Sequence, residues 1–230
     1  MAGARARVSA ALSAVVGWRL FKPTVFVLCA IPGVMLGWGL YQALSGQNPS
    51  ALTADPTKYL EHETGRTALM LLLFSLTVTP LRRMLQVNRI QTIRRMLGVW
   101  SFAYALMHVT VYLVFDQLCV SLETCQFPTI WEDLTKRPFI FVGMVAFTVL
   151  LVLAITSTMG WQRRLKKNWQ RLHRLVYVAA VAAVVHFIWG QKSDISEPLQ
   201  WGAFLLLLFG IRIFYAVRKR AARLVPAVSR

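Results

Sequence analysis

Four histidines occur among the 230 residues, His62, His108, His173 and His186, and two of them interrupt an otherwise apolar run, RLHRLVYVAAVAAVVHFIWG, at 171–190. Imidazole is the commonest side-chain ligand for transition metals and the one whose proton moves near neutral pH. Within a bilayer it is costly, so it faces a bundle interior and serves as a ligand or as an interhelical hydrogen-bonding group. His108 follows Arg95 by 13 residues, and His186 follows His173 by 13. If Arg95 and His173 mark the same end of two parallel helices, His108 and His186 both lie about 20 Å in, at 1.5 Å per residue. Two imidazoles at one depth on parallel helices can clasp an iron, and a haem with two axial histidines meets that description.

The elements that must position these rings are legible in the composition. Hydrophobic residues make up 57% of the chain and charged residues only 15%, far from the balance of a soluble domain. Six apolar segments, near 23–44, 65–81, 96–115, 138–158, 173–190 and 198–217, approach the roughly 20 residues a helix needs to cross a bilayer. The second and fifth are short and are expected to extend into their flanks. Pro23, Pro80, Pro138 and Pro198 mark helix starts and stops. The expected fold is all-α, a six-helix membrane bundle over 23–217, with an N-terminal segment 1–22 and a basic tail 218–230.

Net charge is +17, and its placement decides its meaning. Segments 1–22, 82–95, 159–174 and 212–230 hold 21 of the 26 Lys and Arg. All nine acids (Asp55, Glu61, Glu63, Asp116, Glu123, Glu132, Asp133, Asp194 and Glu197) lie in the alternate loops. By the positive-inside rule both termini are cytoplasmic and the acidic loops face outward. The basicity is topology and attraction to anionic lipid, which excludes nucleic acid as its explanation. No cleavable signal, repeat or soluble domain is legible.

In that topology helices three and five both run outward, which places His108 and His186 together in the outer half and His173 about 20 Å deeper. One difficulty stands. Thirteen residues rotate by about 1300°, some 140° short of whole turns, so helix five needs a local distortion or its two sites face differently. Ala179, Ala180, Ala182 and Ala183 between the histidines let a flat ligand or another helix approach. Trp100, Tyr104, His108 and Tyr112 form a stripe on helix three. His62 is expected at the outward edge of helix two, exposed or supporting the outer site. Arg66, Lys136 and Arg137 share that edge, as topology anchors or as partners for haem propionates. Cys29 reads as packing, while Cys119 and Cys125 in one outward loop are either a short-range disulfide or two free thiols.

The motifs TVTPLRR (77–83), RRMLGVWSFAYALMHVTVY (94–112), KRPFIFVG (136–143), LAITST (153–158) and NWQRLHRLVYVAAVAAVVH (168–186) together resemble the MsrQ (YedZ) family. This is the haem-binding membrane subunit of a bacterial periplasmic methionine-sulfoxide reductase system, within the ferric-reductase-like transmembrane group. The resemblance implies b-type haem, one or two, with ligand histidines at His108, His173 and His186. It also implies an associated FMN and an inner-membrane location. Electrons would pass from a quinone or cytoplasmic flavin reductase to a periplasmic molybdopterin subunit, MsrP. Ferric reductases carry two histidines on each of two helices, whereas Arg94 or Arg95 stands at the inner position of helix three here. The inner site is then a haem with one imidazole, or a flavin or quinone site at which Arg94 binds a propionate or phosphate. The outward loop 116–137 is the expected docking surface for MsrP. The alternatives are a cytochrome serving external iron or oxygen, and a non-redox transporter or scaffold.

Overall fold

The computed structural model describes residues 14–15, 17, 19–48, 50–120, 124–191 and 194–224. Helix α1 spans Phe21–Leu44, α2 Pro56–Leu85, α3 Gln91–Val111, α4 Phe127–Lys136, α5 Pro138–Ile155, α6 Met159–Leu165, α7 Lys167–Leu172, α8 Val176–Gly190 and α9 Ser196–Leu224. Short 3₁₀ turns at Asn88–Ile90 and His173–Leu175 lead into α3 and α8, and a π-helical turn, Tyr112–Asp116, extends α3. No strand occurs among the described residues. Six helical stretches are long and apolar enough to cross a membrane: Phe21–Leu44, Pro56–Leu85, Asn88–Asp116, Pro138–Ile155, Lys167–Gly190 and Ser196–Ala221. The protein is an all-α, multi-pass membrane protein. The second and fifth stretches reach well beyond their apolar cores, as expected. Residues 1–13 and 225–230 of the expected flanking segments lie outside the described residues, whereas 218–224 continue α9 as helix. One end of the bundle carries the basic segments and the other the acidic loops. They are called the basic and acidic ends below.

Helix α2 is the hub. Half of its most apolar stretch is buried, against 17% or less for each of the other five. Leu69, Leu72, Leu73 and Leu76 pack with Leu150 of α5, Ala179, Ala180 and Val184 of α8, and Leu205 and Leu208 of α9. Lipid is as apolar as leucine, so close packing and polar contacts must hold these helices together. Of the four alanines expected to admit a flat ligand or another helix, Ala179 and Ala180 serve the helix: both are fully buried in the interface. Ser101 donates to the Ala68 carbonyl at 2.8 Å and Ser75 to the Arg94 carbonyl at 2.9 Å, stitching α3 to α2.

Two prolines lie inside spans, and a side chain from another helix bonds the backbone at or beside each. Pro32 disturbs the ladder of α1. Beside it the Tyr104 hydroxyl accepts from the Gly33 N–H at 2.7 Å and donates to the Cys29 carbonyl at 2.7 Å. Those two groups would otherwise bond each other, so Tyr104 is inserted into the ladder of α1. Tyr104 is fully buried. Tyr104→Phe removes both of these bonds, at about 0.5–1.5 kcal/mol for each net hydrogen bond, offset in part if the two backbone groups close on each other. The expected result is a lower midpoint in thermal or detergent unfolding, with α1 loosened first.

Pro80 does not stop α2, contrary to expectation; the helix runs on to Leu85. A proline leaves the carbonyl four residues earlier without its donor. That carbonyl is Leu76 O, and Arg212 Nη2 of α9 donates to it at 2.5 Å. Gln86, in the left-handed region at φ 58°, then ends α2 and turns the chain toward α3.

At the acidic end, α4 is tied down on the π turn. Asp133 Oδ2 accepts from the Tyr112 hydroxyl at 2.9 Å and from Gln117 Nε2 at 3.0 Å, and Oδ1 pairs with Arg137 at 3.2 Å. Of the two states open for Cys119 and Cys125, the structure has the disulfide. Cys29 is a buried free thiol, as its packing role requires. The local distortion expected of helix five is present as the 3₁₀ turn at His173–Leu175. Three residues at about 120° instead of 100° recover roughly 60° of the missing rotation.

Candidate functional site

His108 of α3 and His186 of α8 meet between helices at the acidic side of the bundle, with ring centres 6.1 Å apart and planes at 80°. Each ring is held by the same device. His108 Nδ1 lies 2.8 Å from the Glu61 carbonyl of α2, and His186 Nδ1 lies 2.7 Å from the Phe139 carbonyl of α5. A carbonyl oxygen only accepts, so both Nδ1 atoms carry the proton and both Nε2 atoms keep a free lone pair. That is the tautomer a metal-binding imidazole needs, and a backbone carbonyl on the other nitrogen is its usual orienting partner.

Glycines make the room. A Cβ at Gly65, one turn after Glu61, would stand 3.1 Å from His108 Nδ1 and Cε1. A Cβ at Gly143, one turn after Phe139, would stand 2.6 Å from His186 Nδ1 and 2.8 Å from Cε1. Interior glycine costs a helix about 1 kcal/mol relative to alanine, and here it lets an imidazole rest on bare backbone. Each histidine follows its carbonyl partner by 47 residues. One shift therefore carries Glu61 to Phe139, Gly65 to Gly143 and His108 to His186. No repeat was expected from the sequence. The repeat lies chiefly in backbone geometry, with few identities beyond the glycine and histidine retained, such as Ala68 with Ala146 and Leu72 with Leu150, so composition does not reveal it.

This arrangement fits one class of centre. A metal–imidazole bond is about 2 Å, so an ion shared by two facing imidazoles puts the ring centres roughly 6 Å apart. Among the described residues no group of three or more His, Cys, Asp or Glu gathers as a metal site. Two opposed imidazoles with nothing else suit an ion whose remaining ligands come from a macrocycle, as in a haem.

His173 is placed differently. Its ring stacks on Trp169 at 4.0 Å, and its Nε2 lies 3.2 Å from Thr156 Oγ1. Thr156 Oγ1 donates to the Val152 carbonyl at 2.7 Å, which leaves His173 Nε2 as the donor in that contact. Trp169 Nε1 closes the group by donating to the Thr156 carbonyl at 2.9 Å. The structure gives His173 no second imidazole.

The arginines divide by face. Arg94 lies on the side of α3 toward α2, where its carbonyl accepts from Ser75. Arg95 instead lines a groove of about 500 Å³ with Lys22, Phe26, Thr92, Met96 and Trp100. Arg66, expected near propionates, pairs with Glu197 of α9 at 2.6 Å and with Glu63 at 3.7 Å. Lys136 and Arg137 pair with Glu132 and Asp133. His62 is more than an exposed edge residue. It sits between Glu63 and Glu197 with its ring 5.8 Å from that of Phe187, the neighbour of His186. In the aromatic stripe, Trp100 packs on Phe26 and Tyr104 crosses to α1, so both join helices.

The carbonyl tethers, the two glycines, Thr156, Trp169 and Arg212 were not singled out from the sequence. A lone glycine inside an apolar span was the available signal for Gly65 and Gly143. Backbone acceptors leave no trace in residue type.

Residues 64–184 match the family described as ferric reductase like transmembrane component. A protein of Xanthomonas campestris pv. campestris (strain B100) is 43% identical over 204 residues, covering 88% of this chain and 90% of its own length. Relatives from Xanthomonas euvesicatoria pv. vesicatoria (strain 85-10) and Xanthomonas oryzae pv. oryzae (strain MAFF 311018) are 42% and 41% identical, covering 90% and 89% of this chain and 90% and 92% of their own lengths. All three relatives are named protein-methionine-sulfoxide reductase heme-binding subunit MsrQ.

Proposed function

The chain belongs to the MsrQ family of the ferric-reductase-like transmembrane group, and from that premise we propose that it is a b-type cytochrome subunit of the bacterial inner membrane. It carries electrons across the bilayer to a periplasmic molybdopterin partner, MsrP, which reduces methionine sulfoxide in oxidised proteins. The observation that carries this reading is the pair His108 and His186, carbonyl-tethered in the ligand tautomer with ring centres 6.1 Å apart.

A bound haem supplies one-electron transfer. The chain's own residues do the rest. His108 and His186 present Nε2 from two directions, and the Glu61 and Phe139 carbonyls hold the rings in register and raise the basicity of the imidazoles. Helices α2, α5 and α9 close an apolar wall around the pair. Arg66 and His62, at the acidic rim, are held by Glu63 and Glu197 and set the charge beside it.

The segregation of basic and acidic segments supports cytoplasmic termini and a periplasmic acidic end. The haem pair then lies nearer the periplasm. The basic segments 82–95 and 159–174 face the electron donor, a quinol or a cytoplasmic flavin reductase. The α4 segment, stapled by the disulfide and by Asp133, is the docking surface for MsrP. Its exposed Phe127 and Trp131 and its acids Glu132 and Asp116 offer a mixed apolar and acidic face.

Dithionite-reduced minus oxidised absorption of the purified, haem-supplied protein tests the cytochrome reading. A Soret shift and a b-type α-band are expected; their absence sinks it. Co-purification of a molybdopterin protein then tests the acceptor.

A further inference from the structure

His62 lies at the acidic rim between two carboxylates that come from different helices. Its Nδ1 is 3.4 Å from Glu63 Oε1 of α2, and its Nε2 is 3.6 Å from Glu197 Oε2 of α9. A neutral imidazole has one N–H and one bare lone pair, so it suits one of these carboxylates and opposes the other. An imidazolium donates from both nitrogens and suits both. The surroundings are built for a ring that takes up a proton.

The two carboxylates are themselves held in place. Arg66 Nε pairs with Glu197 at 2.6 Å and Arg66 Nη1 with Glu63 at 3.7 Å, while Trp201 Nε1 donates to Glu197 at 3.4 Å. Two carboxylates and one guanidinium leave one negative charge, which a proton on His62 cancels. Other charged groups on the same elements have partners of their own: Lys58 pairs with Asp55, and Asp194 accepts from the Ser196 N–H. Glu61 adjoins His62 in sequence, and α8 meets it through the uncharged ring of Phe187. The His62 side chain is 38% exposed, so protons reach it from solvent at the acidic end.

The same ring stands beside the paired histidines. His62 follows Glu61, whose carbonyl holds His108, and its ring lies 5.8 Å from that of Phe187, which follows His186. A charge arriving between His108 and His186 is therefore felt at His62. At a separation on the order of 10 Å and an effective dielectric of about 20, one unit charge changes the binding constant of a proton about tenfold.

We propose that His62 is the redox-linked proton site of this centre, an inference that rests on the cytochrome reading. His62 binds one proton from solvent at the acidic end as one electron enters between His108 and His186. It releases that proton as the electron leaves for the acceptor. The only bond made and broken is an imidazole N–H. Rim and centre together keep the same net charge, which lowers the cost of holding an added electron in an apolar bundle.

The test is the midpoint potential of the haem-loaded protein, followed by absorption from about pH 5 to pH 9, the range around imidazole titration. The reduced centre favours the protonated ring, so the potential is expected to fall as pH rises. His62→Gln keeps an N–H for one carboxylate; its haem-to-protein ratio is expected to hold while the slope disappears. Glu63→Gln spares the Arg66–Glu197 pair and weakens proton binding about tenfold, moving the sloping interval about one pH unit lower. A b-type spectrum with a potential independent of pH, or a slope that survives His62→Gln, overturns the proposal and leaves the cytochrome reading standing. Absence of the b-type spectrum overturns both.

Discussion

Replacing His108 or His186 with alanine is expected to strip the haem from the purified protein, lowering its haem-to-protein ratio by about tenfold or more, while His173→Ala leaves that ratio in place. Losing an orienting partner alone typically weakens a metal centre 10- to 100-fold, and losing the ligand itself removes more. The asymmetry follows from geometry. His108 and His186 keep Nε2 free because a carbonyl holds each Nδ1. His173 has Nε2 turned to Thr156 and its face on Trp169. Methionine also ligates haem, so His108→Met is expected to retain part of the haem with an altered spectrum, which separates loss of a ligand from loss of fold. Equal haem content in all three alanine variants would falsify the assignment.

The second large effect comes from a single methyl group. Gly143→Ala places a Cβ 2.6 Å from His186 Nδ1, a contact neither the helix backbone nor a ring tied to the Phe139 carbonyl can relieve in place. The ring must leave its carbonyl, and a 10- to 100-fold loss of haem affinity is expected. Gly65→Ala meets His108 at 3.1 Å, close enough to push the ring by a few tenths of an ångström, so its effect is smaller. Gly37 and Gly210 have open space where a Cβ would go. Alanine there should leave haem content unchanged and favour the helix by up to about 1 kcal/mol. If all four substitutions behave alike in a haem titration, the cradle reading fails.

The spans were legible because a bilayer imposes length and polarity on every crossing segment, and charge asymmetry pairs their ends. The equal depth of His108 and His186 was legible from two counts of 13 residues and the helical rise. The mismatch in rotation within helix five was legible too; the 3₁₀ turn at His173–Leu175 makes up roughly 60° of the 140°, and the two histidines face different surroundings for the rest. What stayed hidden is carried by atoms common to all residues. The Glu61 and Phe139 carbonyls look like any others in a sequence. The continuation of α2 through Pro80 depends on Arg212, more than 130 positions away. Arg66 was legible at the rim as an anchor or a propionate partner, but not its ion pair with Glu197, which α9 brings over.

The shift that maps Gly65 and His108 onto Gly143 and His186 relates two helical hairpins, α2 with α3 and α5 with α8, that enter the membrane in the same sense. Such parallel repeats are related by an axis along the membrane normal. The pair of imidazoles is thus the inward-facing seam of a dimer written into one chain, and symmetry alone makes the two ligands equivalent. The same shift carries Ser101 to Ala179 and Ala68 to Ala146, all four buried, so the close-packed level of each hairpin is kept. It carries Arg95 to His173 and Tyr104 to Ala182, where the halves part company. At those positions the pseudo-symmetry is broken. The basic end, where one half has His173 packed on Trp169 and the other has Arg95 lining a groove, is where the two halves differ most.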